Sequence, residues 1–112
     1  MLEKIYLLWD SYKANRTYLI GCLSKKGNNY VFEYEKEALL AYNDGCMLPF
    51  PYTDGAYCFN SLPPFFERRI NYRKGKINDE LQSLLENNGR INNDNFHITD
   101  NVLKNDLNCK KL

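Results

Sequence analysis

From Lys4 to Asp10, the apolar residues Ile5, Leu7 and Trp9 alternate with Tyr6 and Leu8, which predicts a strand with apolar side chains on both faces. Ser11 to Arg16 is polar and turn-like. The alternation then resumes from Tyr18 to Leu23, with Tyr18, Ile20 and Cys22 on one face and Leu19 and Leu23 on the other. Gly21 inside that run points to a bulge or a close packing contact. Lys25-Lys26-Gly27-Asn28-Asn29 is a turn, after which Tyr30, Phe32 and Tyr34 alternate with Val31 and Glu33. The prediction is a three-stranded antiparallel meander whose third strand turns Glu33 to water.

The period then changes. Glu35 to Tyr42 is built of helix formers with an apolar stripe of Ala38, Leu39, Ala41 and Tyr42, and Asn43-Asp44-Gly45 ends it. Pro49 and Pro51 confine Met47 to Tyr52 to an edge strand or an extended loop, and Thr53-Asp54-Gly55 is a turn before Ala56-Tyr-Cys-Phe59. Ser61 is placed to cap a helix entered through Pro63 and Pro64, where missing amide protons have no intrahelical partner. On that helix Phe66 and Ile70 share one face, with Phe65, Arg68 and Arg69 around the rest. Two adjacent phenylalanines on so short a helix crowd one small core, so Phe66 is expected inward and Phe65 outward. Asn78 or Asp79 can cap a helix through Leu81, Leu84 and Leu85 that closes at Asn87-Asn88-Gly89. Thr99 or Asp100 can cap another through Val102, Leu103 and Leu107. The expected architecture is α+β, a small antiparallel sheet with helices packed on one side, in a single domain over 1–112 with residues 108–112 frayed.

Composition sharpens this picture in two ways. The 112 residues are 44% hydrophobic and 14% aromatic, with nine Tyr and six Phe, which supports a packed core and argues against disorder. A formal net charge of +1 offers no global attraction to nucleic acid or to an anionic membrane, so any basic site is local. The start of the chain lacks the pattern of a secretory signal, and no run of 18 uncharged apolar residues occurs, so a cytoplasmic setting is expected. The four cysteines, Cys22, Cys46, Cys58 and Cys109, form no CxxC pair and have one histidine to assist them. They read as reduced thiols, with Cys22 and Cys58 in the core and no bound metal.

Candidate chemistry is sparse. His97 is the one histidine and has no companion acid close in sequence; Glu33, Glu35 and Glu37 read as a solvated edge. No phosphate-binding glycine loop, kinase catalytic segment or calcium loop is present, so the chain is read as a non-enzyme without a cofactor. Arg68, Arg69, Arg73, Lys74 and Lys76, interleaved with Tyr72, can form a basic face. Such a face is a solvated helix side, a contact for an acidic protein, or a platform for nucleic acid.

The order of five segments carries a resemblance. Tyr18-Leu-Ile-Gly-Cys-Leu23, Tyr30-Val-Phe-Glu-Tyr34, Leu48-Pro-Phe-Pro-Tyr52, Phe59-Asn-Ser-Leu-Pro63 and Asp94-Asn-Phe-His-Ile98 are followed by a leucine-bearing stretch. Over about residues 4 to 107 this resembles the N-terminal subdomain of HipA-type serine/threonine kinase toxins. The chain departs from that pattern at Phe59-Asn-Ser-Leu-Pro63, one residue short, and at Pro49 and Pro51; the kinase body is absent. The resemblance implies a HipS-like antitoxin that binds and inhibits a HipA- or HipT-type kinase, in a complex that can also hold a DNA-binding HipB-like protein. The contact expected from the residues is Ser61, Pro63, Pro64, Phe65, Phe66, Arg68 and Arg69. The alternatives are a small nucleic-acid-binding domain using Arg68, Arg69, Tyr72, Arg73, Lys74 and Lys76, or an inhibitor from a phage or mobile-element defence or anti-defence system.

Overall fold

A computed structural model describes residues 3–70, 79–86, 88–91 and 94–101. Five strands, β1 (Lys4–Ser11), β2 (Arg16–Lys26), β3 (Asn29–Tyr34), β4 (Ala56–Phe59) and β5 (Phe96–Thr99), form one antiparallel sheet in the order β4-β3-β2-β1-β5. Among the described residues, three short helices, α1 (Glu37–Asn43), α2 (Pro64–Glu67) and α3 (Glu80–Leu85), join the sheet in an α+β architecture. None of the described helices is long and apolar enough to cross a membrane.

The meander follows from the alternation already noted. Residues directly opposite one another share a face, and Trp9 stands opposite Tyr18 and Phe96, Leu7 opposite Ile98, and Ile5 opposite Leu23. Leu23 in turn faces Phe32. Ala38 and Ala41 of α1, Phe66 of α2, and Leu81 and Leu84 of α3 join this same buried cluster, so the helices cover one side of the sheet. The turn at Gly27 has the positive φ that glycine supplies. Gly21 fulfils both expectations set for it. The register slips beside it, with Leu7 opposite Gly21 but Leu8 opposite Leu19, leaving Ile20 bulged. A Cβ there would also stand 2.4 Å from Phe32 Cζ and 2.7 Å from the Glu33 carbonyl oxygen.

Several expectations are corrected. Of the α1 stripe only Ala38 and Ala41 point inward, while Leu39, Leu40 and Tyr42 are exposed. At the start of α1, Glu37 Oε1 accepts a 2.7 Å hydrogen bond from the Leu19 N–H and anchors the helix to β2, with Ala38 and Ala41 on its buried side. Cys58 is exposed because it lies opposite Val31 on the face away from the helices, whereas Cys46 joins Cys22 in burial. Ser61 caps nothing: α2 is one turn beginning at Pro64, and the backbone oxygen of Pro63, its N-cap residue, takes the Phe66 and Glu67 amides instead. Asp79 does cap α3, through the Gln82 amide. Thr99 ends β5, a strand not foreseen from the alternation, and its Oγ1 accepts the Asn101 amide at 3.3 Å. The helix expected through Leu107, the alternative cap Asn78, residue Asn87, Cys109 and the frayed end all lie outside the described residues.

Candidate functional site

The expected contact surface begins where Leu62 and Pro63 tuck under the sheet and α2 turns outward. Phe66 packs 5.9 Å from the Phe32 ring centroid and is fully buried, as its spacing predicts. Phe65 is half-buried, edge-on to Phe96 at 5.2 Å. Arg69 is the unexpected member. It is 2% exposed; its Nε donates to the Phe65 carbonyl oxygen at 3.1 Å and one terminal nitrogen to the Gly89 carbonyl oxygen at 2.9 Å. The other terminal nitrogen pairs with Asp94 Oδ2, and the guanidinium lies 4.2 Å over the Phe65 ring and 5.5 Å from that of Phe96. Asp94 uses its second oxygen to accept the Phe96 amide at 3.2 Å. One guanidinium thereby ties α2 to the chain leading into β5.

Pro63, Phe66 and Arg69 are therefore removed from the expected contact set, because each is buried in the fold. Of that set Ser61, Pro64 and Arg68 remain outward, with Glu67 exposed beside them, and Arg68 sits 5.6 Å over the half-covered ring of Phe65. The basic face loses Arg69, whose charge is matched by Asp94. Tyr72, Arg73, Lys74 and Lys76 lie outside the described residues. Sequence spacing could not separate Arg68 from Arg69, since two of the partners that bury Arg69, Gly89 and Asp94, are 20 and 25 positions away.

His97 gains from the fold the acid it lacked in sequence. On β5 it stands opposite Leu8, with Nδ1 3.4 Å from Asp10 Oδ2 across the strands. Asp10 also accepts from Thr17 Oγ1 at 2.7 Å and from Arg90 at 3.3 Å. Burial holds the imidazole below its ordinary pKa, against the upward pull of Asp10, so it is neutral at pH 7. An open cleft of about 270 Å³ borders it, between Leu8, Thr17, Thr99, Asn88 and Asn101. Thr17 Oγ1 is committed to Asp10, and no group of three or more metal-ligating side chains comes together among the described residues. Glu33 and Glu35 are exposed as expected; Glu37 is not simply solvated, being bound to the Leu19 amide and, at 3.4 Å, to Arg16.

A third feature escaped sequence reasoning altogether. Asp44, past the end of α1, accepts hydrogen bonds from Ser11 Oγ at 2.8 Å and Tyr18 OH at 3.0 Å on a single oxygen. These two bonds hold its carboxyl below the usual range. They fasten the β1–β2 turn against α1, and large apolar side chains stand exposed around that junction.

Compared with protein-family models, with curated proteins and with solved structures, the chain matches none.

Proposed function

We propose that this is a non-catalytic regulatory protein that binds and inhibits a HipA-type serine/threonine kinase in the cytoplasm, as an antitoxin whose complex can include a DNA-binding HipB-like partner. The observation that carries the proposal is the buttressed α2 turn: Ser61, Pro64, Glu67 and Arg68 face outward from a base made rigid by Phe66 and the Arg69–Asp94 pair. A preorganised patch loses little conformational entropy on binding. The segment order that resembles the kinase subdomain supplies the identity of the partner. The nucleic-acid reading loses Arg69, which is buried and paired with Asp94.

The experiment is co-purification with a HipA-type kinase encoded beside this protein, followed by rescue of the growth arrest that kinase causes. Arg68→Glu should leave the melting temperature unchanged and weaken the complex by about tenfold or more, as truncation of a central arginine does at other interfaces. Absence of any such kinase from the purified complex, or full rescue by Arg68→Glu together with Pro64→Asp, would overturn the assignment. A gel shift at physiological salt stronger than the non-specific range of about 10⁻⁴ to 10⁻⁶ M would point to nucleic acid instead.

A further inference from the structure

The surface around α1 is apolar in the wrong direction for a helix that only covers a sheet. Ala38 and Ala41 face inward, while Leu39 and Leu40 are 54% and 52% exposed and Tyr42 is 60% exposed. Two more side chains extend the same region. Tyr12, 79% exposed, follows Ser11, which is bonded to Asp44; Met47, 85% exposed, follows Cys46, whose amide binds the Ala41 carbonyl oxygen at 2.9 Å. From these exposures and ordinary side-chain areas, the five leave on the order of 600 Å² in water, at the upper end of the largest apolar patch on a typical monomer. That is roughly three-quarters of what each partner contributes to a stable interface. The patch is also held in shape, since the Asp44 clamp fixes turn against helix.

The charges at its two ends are self-complementary. At the start of α1 stand exposed Glu35 and Lys36; at its far end stand exposed Lys13, in the β1–β2 turn, and half-buried Asp44, whose Oδ1 is not used by the Ser11 and Tyr18 bonds. A two-fold axis through the middle of α1 would set the start of one helix against the end of the other, bringing Glu35 to Lys13 and Lys36 to Asp44, twice over. We infer that the free protein is a homodimer in which α1 packs antiparallel on α1 of a second copy, through Leu39, Leu40, Tyr42, Tyr12 and Met47. This surface is separate from the α2 residues assigned to the kinase, so the dimer stands or falls independently of that reading.

Sedimentation equilibrium of the full chain from about 1 to about 200 µM tests it, a span that captures a dissociation constant in the micromolar range. The expected result is a mass twice 13.2 kDa at the upper end. Leu40→Glu should raise the dissociation constant at least about tenfold with an unchanged melting temperature, because the side chain it replaces is already half in water. Lys13→Glu and Glu35→Lys should each weaken the dimer, and the double variant should restore it. A monomer at every concentration overturns the inference, as does a dimer that Leu40→Glu leaves intact or a charge swap that does not restore. A wild-type monomer whose kinase complex is lost in Leu40→Glu would likewise overturn it, by giving the patch to the kinase.

Discussion

Arg68 and Arg69 are identical as letters and opposite in role: one guanidinium is in water, the other is closed between two rings and bonded to Phe65, Gly89 and Asp94. Removing one partner of a buried pair strands the other, at a cost of about 3–5 kcal/mol. Asp94 keeps some contact with water, so Arg69→Ala is expected near the lower end of that range. Urea denaturation measures it, and the double variant Arg69→Met with Asp94→Asn should lose less than the two single losses added together. Gly21→Ala should cost about 1–3 kcal/mol by forcing a methyl group against Phe32 and the Glu33 carbonyl. His97 makes stability depend on pH. Its folded pKa is lowered, mainly by burial, while in the unfolded chain it titrates near 6.5, so as pH falls below about 6.5 the unfolded chain takes the proton first and stability drops. Melting temperatures recorded from pH 7.5 down to pH 5 should fall more steeply for the wild type than for His97→Gln; parallel curves would refute the assignment.

At the scale of the element, strands with a clear period of two were legible and those set by distant contacts were not. β1, β2 and β3 announce themselves because each alternation has one consistently apolar face, and turn residues stand between them. β5 has four residues and a histidine between Phe96 and Ile98, too little to outweigh the capping signals after it. The direction of α1 was misread because hydrophobicity ranks Leu39 and Tyr42 with the alanines, whereas the side of the helix that meets β2, anchored by the Glu37–Leu19 bond, carries the alanines. For α2 the inward place of Phe66 was readable from spacing, but the half-burial of Phe65 against Phe96 and the burial of Arg69 were not. Phe66→Ala is expected to cost about 3–5 kcal/mol as a core truncation. Phe65→Ala, which bares one side of the Arg69 guanidinium, should cost less, about 1–2 kcal/mol. Thermal denaturation of the two variants side by side checks the order, and equal losses would contradict it.

For the whole molecule, helices on one side of the sheet leave its two faces chemically unequal. The Cys46 thiol, in the core under the helices, is pushed up to about 12 by burial; Cys22 and Cys58 share the other face, where Cys22 is buried and its thiol raised by that burial while Cys58 is exposed. Alkylation at pH 8 followed by peptide mapping should therefore mark Cys58 at once, and Cys22 and Cys46 only after urea. Rapid native labelling of Cys46 would mean that the sheet is not packed as described. The strand order carries a consequence for synthesis. The first strand of the chain is flanked on its outer side by the last, Trp9 against Phe96 and Tyr6 against Thr99. A growing chain can fold β1 to β4 by local pairing, yet β1 keeps a bare edge until residues 94–99 have left the ribosome. Until then Arg69 also has no acid to meet. A transcript cut short before Asp94 would thus yield a product with an open strand edge and an unmatched buried cation, a species inclined to join other chains rather than complete itself.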